Sequence, residues 1–467
     1  MKKGLMQILI ANIFGLFISL LTSFLLPKYL SLDAYAAIKT YALYLTYAGF
    51  FSLGYNDGMY LKYGGKDLNK INSEDLFNNF INYIFLILLM NVLVLIIGLA
   101  LNNSIVIAFS FGITSYNILG YLKSLYQATG EFSLYGKALN IEKISVFLLN
   151  LLLLFVIKPQ NYMAYIWIQV VVGYLSCLFL MYKLQKKMSF VTKFSFSIKE
   201  YFDNISSGFI LMLGNFSSSF FTSLDRWFVK VLMDNSSFAL YSFAASMENL
   251  INLFISPITV SLYNYFCKEK NMLKVKKIKN YIFVFGAVLI ASAYPCKYIL
   301  QTYLTKYEAA NSVIFFLFCA QLFNVVIKGI YVNVYKSEKR QKKYLNQMIL
   351  MIIVGSFLNT VFYLFYKSYV SFAAATLLTS VIWMILCEIS DKKYSFSFMQ
   401  YVGIFLLTAI FMITGCYLQP IIGLIIYLLS LLIILFVFYR DTLLEIYDLC
   451  ITFKNSILKK KSHDKNS

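Results

Sequence analysis

Charged side chains stand inside or at the edge of long apolar runs at several points of this sequence, and they are the groups with which it could do chemistry. Asp57 closes one run, Asp225 and Arg226 are adjacent within another, Glu248 and Lys328 lie inside two more, and Lys39 and Lys123 sit nearer the ends of theirs. In hydrocarbon a mid-helix lysine or arginine costs roughly 2.5–3.5 kcal/mol on insertion scales, so each such group must face a cavity, a partner or the interface. The chemistry open to them is binding: cations for a charged solute, and the carboxylates Asp57, Asp225 and Glu248 for a coupling ion. Adjacent helix residues diverge by about 100°, so Asp225 and Arg226 need partners on other helices. A structural pair, for example Arg226 with Glu248, and a solute-binding role are both open. Arginine suits phosphate because its planar fork donates two hydrogen bonds at once, and Arg226 is one of three arginines in a lysine-rich chain. Lys328 and Lys123 are also placed to snorkel to the interface. The amides of Asn215, Asn252 and Asn324 could bind the hydroxyls of a solute or bond to other helices.

Covalent chemistry has little to work with. The sequence contains no D-x-D pair, no G-x-x-x-x-G-K loop, no G-x-S-x-G elbow and no H-E-x-x-H helix. The seven cysteines are far apart and form no C-x-x-C pair, and the one histidine, His463, lies in a polar tail, so neither a metal site nor a cofactor is expected.

What must position these residues is a set of membrane helices. Of the 467 residues 60% are hydrophobic, 18% aromatic and 13% charged, against about 25% charged in an ordinary soluble domain. Apolar runs of about 20 residues, each long enough to cross about 30 Å of hydrocarbon, recur along almost the whole length. Period-2 alternation is absent, which argues for helices and against a barrel. Spans are expected near 5–27, 36–57, 79–101, 104–126, 138–157, 162–183, 205–231, 237–261, 279–299, 309–333, 344–366, 369–388, 398–417 and 420–439, about fourteen in all. The first run lacks a small-x-small cleavage site and reads as a helix, not a secretory signal.

Lysine and arginine concentrate in alternate connections, including Lys62 to Lys70, Lys137 and Lys143, Lys183 to Lys199, Lys268 to Lys279, Lys336 to Lys343, and Lys392 with Lys393. By the positive-inside rule these connections and both termini are cytoplasmic. The net charge of +20 is thereby spread over one membrane face beside anionic lipid, and no nucleic-acid module is visible. The opposite loops are short, which disfavours a polymerase or a lipid-dependent glycosyltransferase.

The end of the first span, from Leu26 to Ile38, matches the end of the seventh, from Phe228 to Tyr241, with one inserted residue: lysine, leucine, a short polar turn, an aromatic, alanine, then the next helix. A same-orientation repeat of this kind implies two parallel six-helix lobes. The sequence here resembles the polysaccharide-transport family of the multidrug/oligosaccharidyl-lipid/polysaccharide exporter superfamily, the family of O-antigen and capsule repeat-unit flippases. The residues that carry the likeness are Leu26-Pro27-Lys28-Tyr29-Leu30 with Tyr35, Gly54-Tyr55-Asn56-Asp57-Gly58, and Ser223-Leu224-Asp225-Arg226-Trp227-Phe228-Val229 running into Phe238-Ala239-Leu240-Tyr241-Ser242. It departs from the family at Ser207-Gly208, where a proline often opens the seventh helix.

The resemblance implies an all-α integral membrane protein of the bacterial cytoplasmic membrane. Its parts would be an N-lobe (1–183), an amphipathic linker (184–204), a C-lobe (205–390), an extra helix pair (391–440) and a basic tail (441–467). It implies as cargo an undecaprenyl-pyrophosphate-linked oligosaccharide, flipped by alternating access among membrane lipids, with a polysaccharide polymerase and a chain-length regulator as further partners. Arg226, Lys328, Lys39 and Lys123 would then compensate the pyrophosphate, and Asn215, Asn252 and Asn324 would meet sugar hydroxyls. A cation-coupled drug exporter and a peptidoglycan-precursor flippase of the same superfamily are the alternatives, and a membrane polymerase is a more remote one.

Overall fold

Backbone amides in hydrocarbon must be satisfied within their own segment, and the apolar runs do so as helix. The computed structural model describes residues 2–159, 161–188, 198–269, 271–445 and 447–448, and among them there is no strand. The helices are α1 (Lys2–Tyr29), α2 (Leu32–Leu45), α3 (Tyr55–Tyr63), α4 (Ser73–Ala100), α5 (Ser104–Ala128), α6 (Phe132–Leu152), α7 (Met163–Lys187), α8 (Ile198–Leu232) and α9 (Asn235–Lys268). They continue as α10 (Met272–Ile290), α11 (Ala293–Thr302), α12 (Asn311–Val326), α13 (Val332–Ser337), α14 (Gln341–Phe365), α15 (Tyr369–Ser390), α16 (Phe398–Tyr417) and α17 (Pro420–Phe438). Eleven helical stretches among the described residues are long and apolar enough to cross a membrane. The expected total of about fourteen adds α1, whose apolar part Phe17–Tyr29 is short, the pair α2 and α3, and the more polar α8.

Four of the expected spans differ in form, one of them the run 279–299, which is interrupted by a turn at Ala291 and Ser292 between α10 and α11. The run 36–57 is broken: α2 stops at Leu45, a 3-10 turn covers Ala48–Ser52, and Leu53 and Gly54 are left-handed (φ 49 and 87) before α3 begins. The carbonyl of Ala48 freed by this break accepts from Asn117 Nδ2 at 2.9 Å, the kind of partner an interrupted membrane helix requires. The run 138–157 starts six residues earlier, at Phe132, and ends in a π turn over Leu153–Ile157. Lys143, counted among the basic residues of a cytoplasmic connection, lies well inside α6. The run 309–333 also carries a π turn, over Ile327–Tyr331, between α12 and α13.

The two turns that suggested a repeat share a local form. In the first, Ser31 Oγ accepts from Ala34 N at 3.2 Å, and in the second Asp234 Oδ1 accepts from Ser237 N at 3.3 Å. Each hydroxyl or carboxylate satisfies an orphan amide at the start of the next helix.

The chain divides into two compact units, 1–242 and 243–467. In the first, α1 packs along α6, α4 along α5, α5 along α7, and α3 along α8. In the second, α12 is the central helix, flanked by α10, α15 and α16, with α14 on α15 and α17 on α16 and α11. Lys279 and Glu388, 1% and 3% exposed, pair at 3.1 Å, and Glu388 also accepts from Tyr331 Oη (2.7 Å) and the Phe396 amide (2.8 Å). That knot ties the start of α16 to α10 and α15. At the other end Lys297 Nζ donates to the carbonyls of Gly415 (2.8 Å) and Leu418 (2.7 Å), which close α16. The central part of the expected amphipathic linker, 189–197, lies outside the described residues, as do most of the basic tail, Cys450 and His463.

Candidate functional site

The break between α2 and α3 leaves space, and in the first unit a cavity of about 510 Å³ surrounds it. One wall is the broken segment itself, from Leu45 to Asp57; the others are α5, α6 and α8. The glycine run explains why α3 and α8 can meet so closely beside it. A Cβ on Gly58 would stand 2.0 Å from Asn204 O, and one on Gly208 2.0 Å from Gly54 O. Gly208, at the place where the sequence departs from the proline often found in the family it resembles, is thus the point at which an unbroken α8 crosses α3.

Three of the sequence-nominated residues are brought together here: Asp57 from α3, Lys123 from α5 and Asn215 from α8. Asn215 Nδ2 donates to Asp57 Oδ1 at 3.4 Å, and Lys123 pairs with Glu142 of α6 at 3.6 Å. Asn56 Nδ2 donates to Ser124 Oγ at 3.4 Å, while its buried Oδ1 has no partner among the described residues. Aromatic rings complete the wall: Phe50 and Phe216 lie 4.6 Å apart, and Tyr47 meets Phe216 edge-on at 5.8 Å. Amides, hydroxyls and ring faces around one carboxylate and one ion pair can bind a polyhydroxylated solute by hydrogen bonds and stacking.

Arg226 lies farther along α8. Its guanidinium donates to Thr222 O at 3.1 Å, and the adjacent Trp227 stacks on Tyr44 at 5.7 Å. Asp225 is 7% exposed and accepts from Tyr241 Oη at 2.6 Å, a bond that fixes the start of α9. Lys39 stands over the Tyr35 ring at 5.2 Å and lines a neighbouring cavity, near enough to Arg226 for the two charges to repel.

The second unit holds the remaining candidates. Glu248 accepts from Gln321 Nε2, and its charge acts on Lys328, in the π turn. Gln321, Asn324 and Lys328 follow one another at i, i+3 and i+7 and so share a face of α12 and its π turn. Asn324 is 7% exposed with Oδ1 unbonded among the described residues. Asn252 lies one turn beyond Glu248 on α9.

Sequence reasoning missed Glu142, Lys143, Asn117 and Asn150. Lys143 was counted only among the basic residues that mark the cytoplasmic side, although it and Glu142 fall inside the expected span 138–157. The polar start of α6, from Phe132, held no hydropathy signal to extend it. Among the described residues no group of three or more His, Cys, Asp or Glu could hold a metal ion.

No protein-family model matches this sequence, and no curated protein matches it significantly. Solved structures do match in fold. A structure described as lipid II flippase MurJ in an inward closed conformation superposes with a TM-score of 0.69 at 16% identity, over 93% of this chain and 99% of that one. An inward-facing multidrug resistance MATE family transporter of the MOP superfamily gives 0.54 at 12% identity, over 81% and 95%, and an outward-facing one 0.50 at 13%, over 87% and 97%. The chain is a multi-pass, all-α membrane protein with the fold of MOP superfamily flippases and transporters.

Proposed function

We propose that the protein is a flippase that moves a lipid-linked oligosaccharide, with an undecaprenyl-pyrophosphate-linked O-antigen or capsule repeat unit as cargo, across the bacterial cytoplasmic membrane. The observation that carries this reading is the cavity of about 510 Å³ in the first unit, whose amides, hydroxyls and rings suit sugars better than an apolar drug. Asn215, Asp57 and Asn56 are the proposed sugar contacts, and Lys123 balances Glu142 until an anionic group arrives. Arg226 and Lys328 are the proposed compensating cations for the pyrophosphate, with Asn252 and Asn324 as further polar contacts. Asp57 and Glu248 are the proposed coupling carboxylates; Asp225, held by Tyr241, fits a structural role better. Lobes at 1–183 and 205–390, an extra helix pair at 391–440 and cytoplasmic termini complete the proposal.

The test is surface polysaccharide in a strain depending on this chain. Asn215→Ala and Arg226→Ala should each lower export at least several-fold while the protein stays in the membrane. Wild-type export in both variants would remove the proposed site. The 0.69 superposition on a lipid II flippase favours a second reading, a peptidoglycan-precursor cargo. Rescue of growth on depletion of the resident lipid II flippase would select it, whereas drug resistance on expression would select an exporter.

A further inference from the structure

Donors and acceptors are unevenly matched on the wall of the cavity of about 510 Å³ in the first unit. The amide donors are engaged within the protein. Asn117 Nδ2 donates to the carbonyls of Ala48 and Ile113, both at 2.9 Å, Asn56 Nδ2 to Ser124 Oγ at 3.4 Å, and Asn215 Nδ2 to Asp57 Oδ1 at 3.4 Å. Lys123 is the one cation on this wall among the described residues, and it pairs with Glu142 at 3.6 Å. Acceptors are left over. Asn56 Oδ1 is buried and unbonded among the described residues, and Asp57 accepts from Asn215 but pairs with no cation among them. With Lys123 and Glu142 offsetting each other, Asp57 leaves the wall with one negative charge. Ring faces make up the rest of the site and continue past it. Tyr47, Phe50 and Phe216 line the cavity, and Phe50 is 38% exposed. Phe220 stacks on Phe216 at 6.1 Å, and Trp227 lies 5.7 Å from both Tyr47 and Tyr44. Phe216 and Trp227, both on α8, are about 16 Å apart along the helix at about 1.5 Å per residue.

An acceptor-rich wall of negative charge calls for a ligand that brings O–H or N–H donors and no negative charge of its own. Sugar hydroxyls and the N–H of acetamido sugars meet that need. An ionised uronate carboxylate accepts only, and it would face Asp57 as a like charge where water screens poorly. The C–H faces of sugar rings suit the negative faces of aromatic rings, and the ring series is longer than one sugar needs. We propose that this cavity selects neutral glycans of two or more sugar rings, stacked on Tyr47, Phe50 and Phe216 and donating to Asn56 Oδ1 and Asp57, and turns away glycans that carry uronate or other acidic groups. The proposal rests on the flippase reading and narrows its cargo: the sugar unit is neutral, and the negative charge of the lipid-linked molecule is confined to its pyrophosphate.

The experiment is saturation-transfer NMR on the purified full-length chain in detergent at constant ionic strength, with triacetylchitotriose, trigalacturonate and N-acetylglucosamine as probes. Triacetylchitotriose should bind at least tenfold more tightly than trigalacturonate and at least threefold more tightly than the single ring. Asp57→Asn should tighten trigalacturonate at least threefold, and Phe216→Leu should weaken triacetylchitotriose by a similar factor. Trigalacturonate binding as tightly as triacetylchitotriose, or no binding of triacetylchitotriose, would overturn the proposal, and this wild-type comparison stands even if a variant does not fold. Export separates the two levels of the argument. If Asn215→Ala and Arg226→Ala lower surface polysaccharide while trigalacturonate binds equally well, the flippase reading stands and the neutral selectivity falls; unchanged export in both variants removes the reading itself.

Discussion

Gly208→Ala tests the crossing on which the candidate cavity depends. The added methyl would lie 2.0 Å from Gly54 O and 2.3 Å from Gly58 N, both backbone atoms of the α2–α3 break and α3. Ordinary contact begins near 3.4 Å, so the two backbones would have to separate by roughly 1.4 Å, a distance rigid helices do not take up locally. Inserting a methyl into packed structure costs about 1–3 kcal/mol, occasionally more, and backbone opposition places this case at the upper end. Replacing glycine by alanine in a helix returns about 1 kcal/mol. The net loss is about 2 kcal/mol, or about 4 °C in melting temperature for a unit of some 240 residues. Gly214→Ala, on the same helix, is the control, because its Cβ meets nothing within 4 Å and the helix-propensity gain should stand alone. Thermal unfolding in detergent, followed by size-exclusion of the surviving fraction, measures both. If Gly208→Ala melts at or above Gly214→Ala, the backbone-to-backbone crossing is wrong.

Other outcomes follow from the second unit. Lys279→Met should cost about 3–5 kcal/mol, since it strands the buried Glu388 carboxylate, whereas replacing both partners by apolar residues should recover much of that loss; the melting temperatures of the two variants decide. Lys297→Met removes both donors to Gly415 and Leu418, and should cost about 1–3 kcal/mol by leaving buried carbonyls unpaired. At the turn after α15, burial pushes the Asp391 carboxyl up, but hydrogen bonds from Lys343 (2.8 Å) and Arg340 (2.9 Å) outweigh it and hold it below 3.8. A folded pKa below the unfolded one gives stability that is present above the ordinary carboxylate range and lost as pH falls through and below about 4. Wild type should therefore lose more melting temperature between pH 5 and pH 3 than Asp391→Asn does; parallel profiles would show that the clamp contributes nothing.

The sequence by itself determined that the chain is helical and crosses a membrane many times. With hydrocarbon as solvent each apolar run must satisfy its own amides, so the run carries the structure without help from its neighbours. The short turns before α2 and α9 were legible for the same reason, being set by Ser31 and Asp234 capping the next helix. Tertiary structure decided where helices break and which polar groups meet. The run 36–57 is apolar enough for one helix, but Leu53 and Gly54 turn left-handed where α8 crosses at Gly208, and Asn117 of α5 takes up the freed carbonyl. Asp57, Lys123 and Asn215 were visible as isolated polar groups, and their gathering around one cavity was not, because nothing local encodes a pairing across 158 residues such as that of Asn215 with Asp57. Glu142 and Lys143 lie inside the expected span 138–157, but the cavities they line were not legible, because the packing of α6 against α1 and α5 decides which way they face.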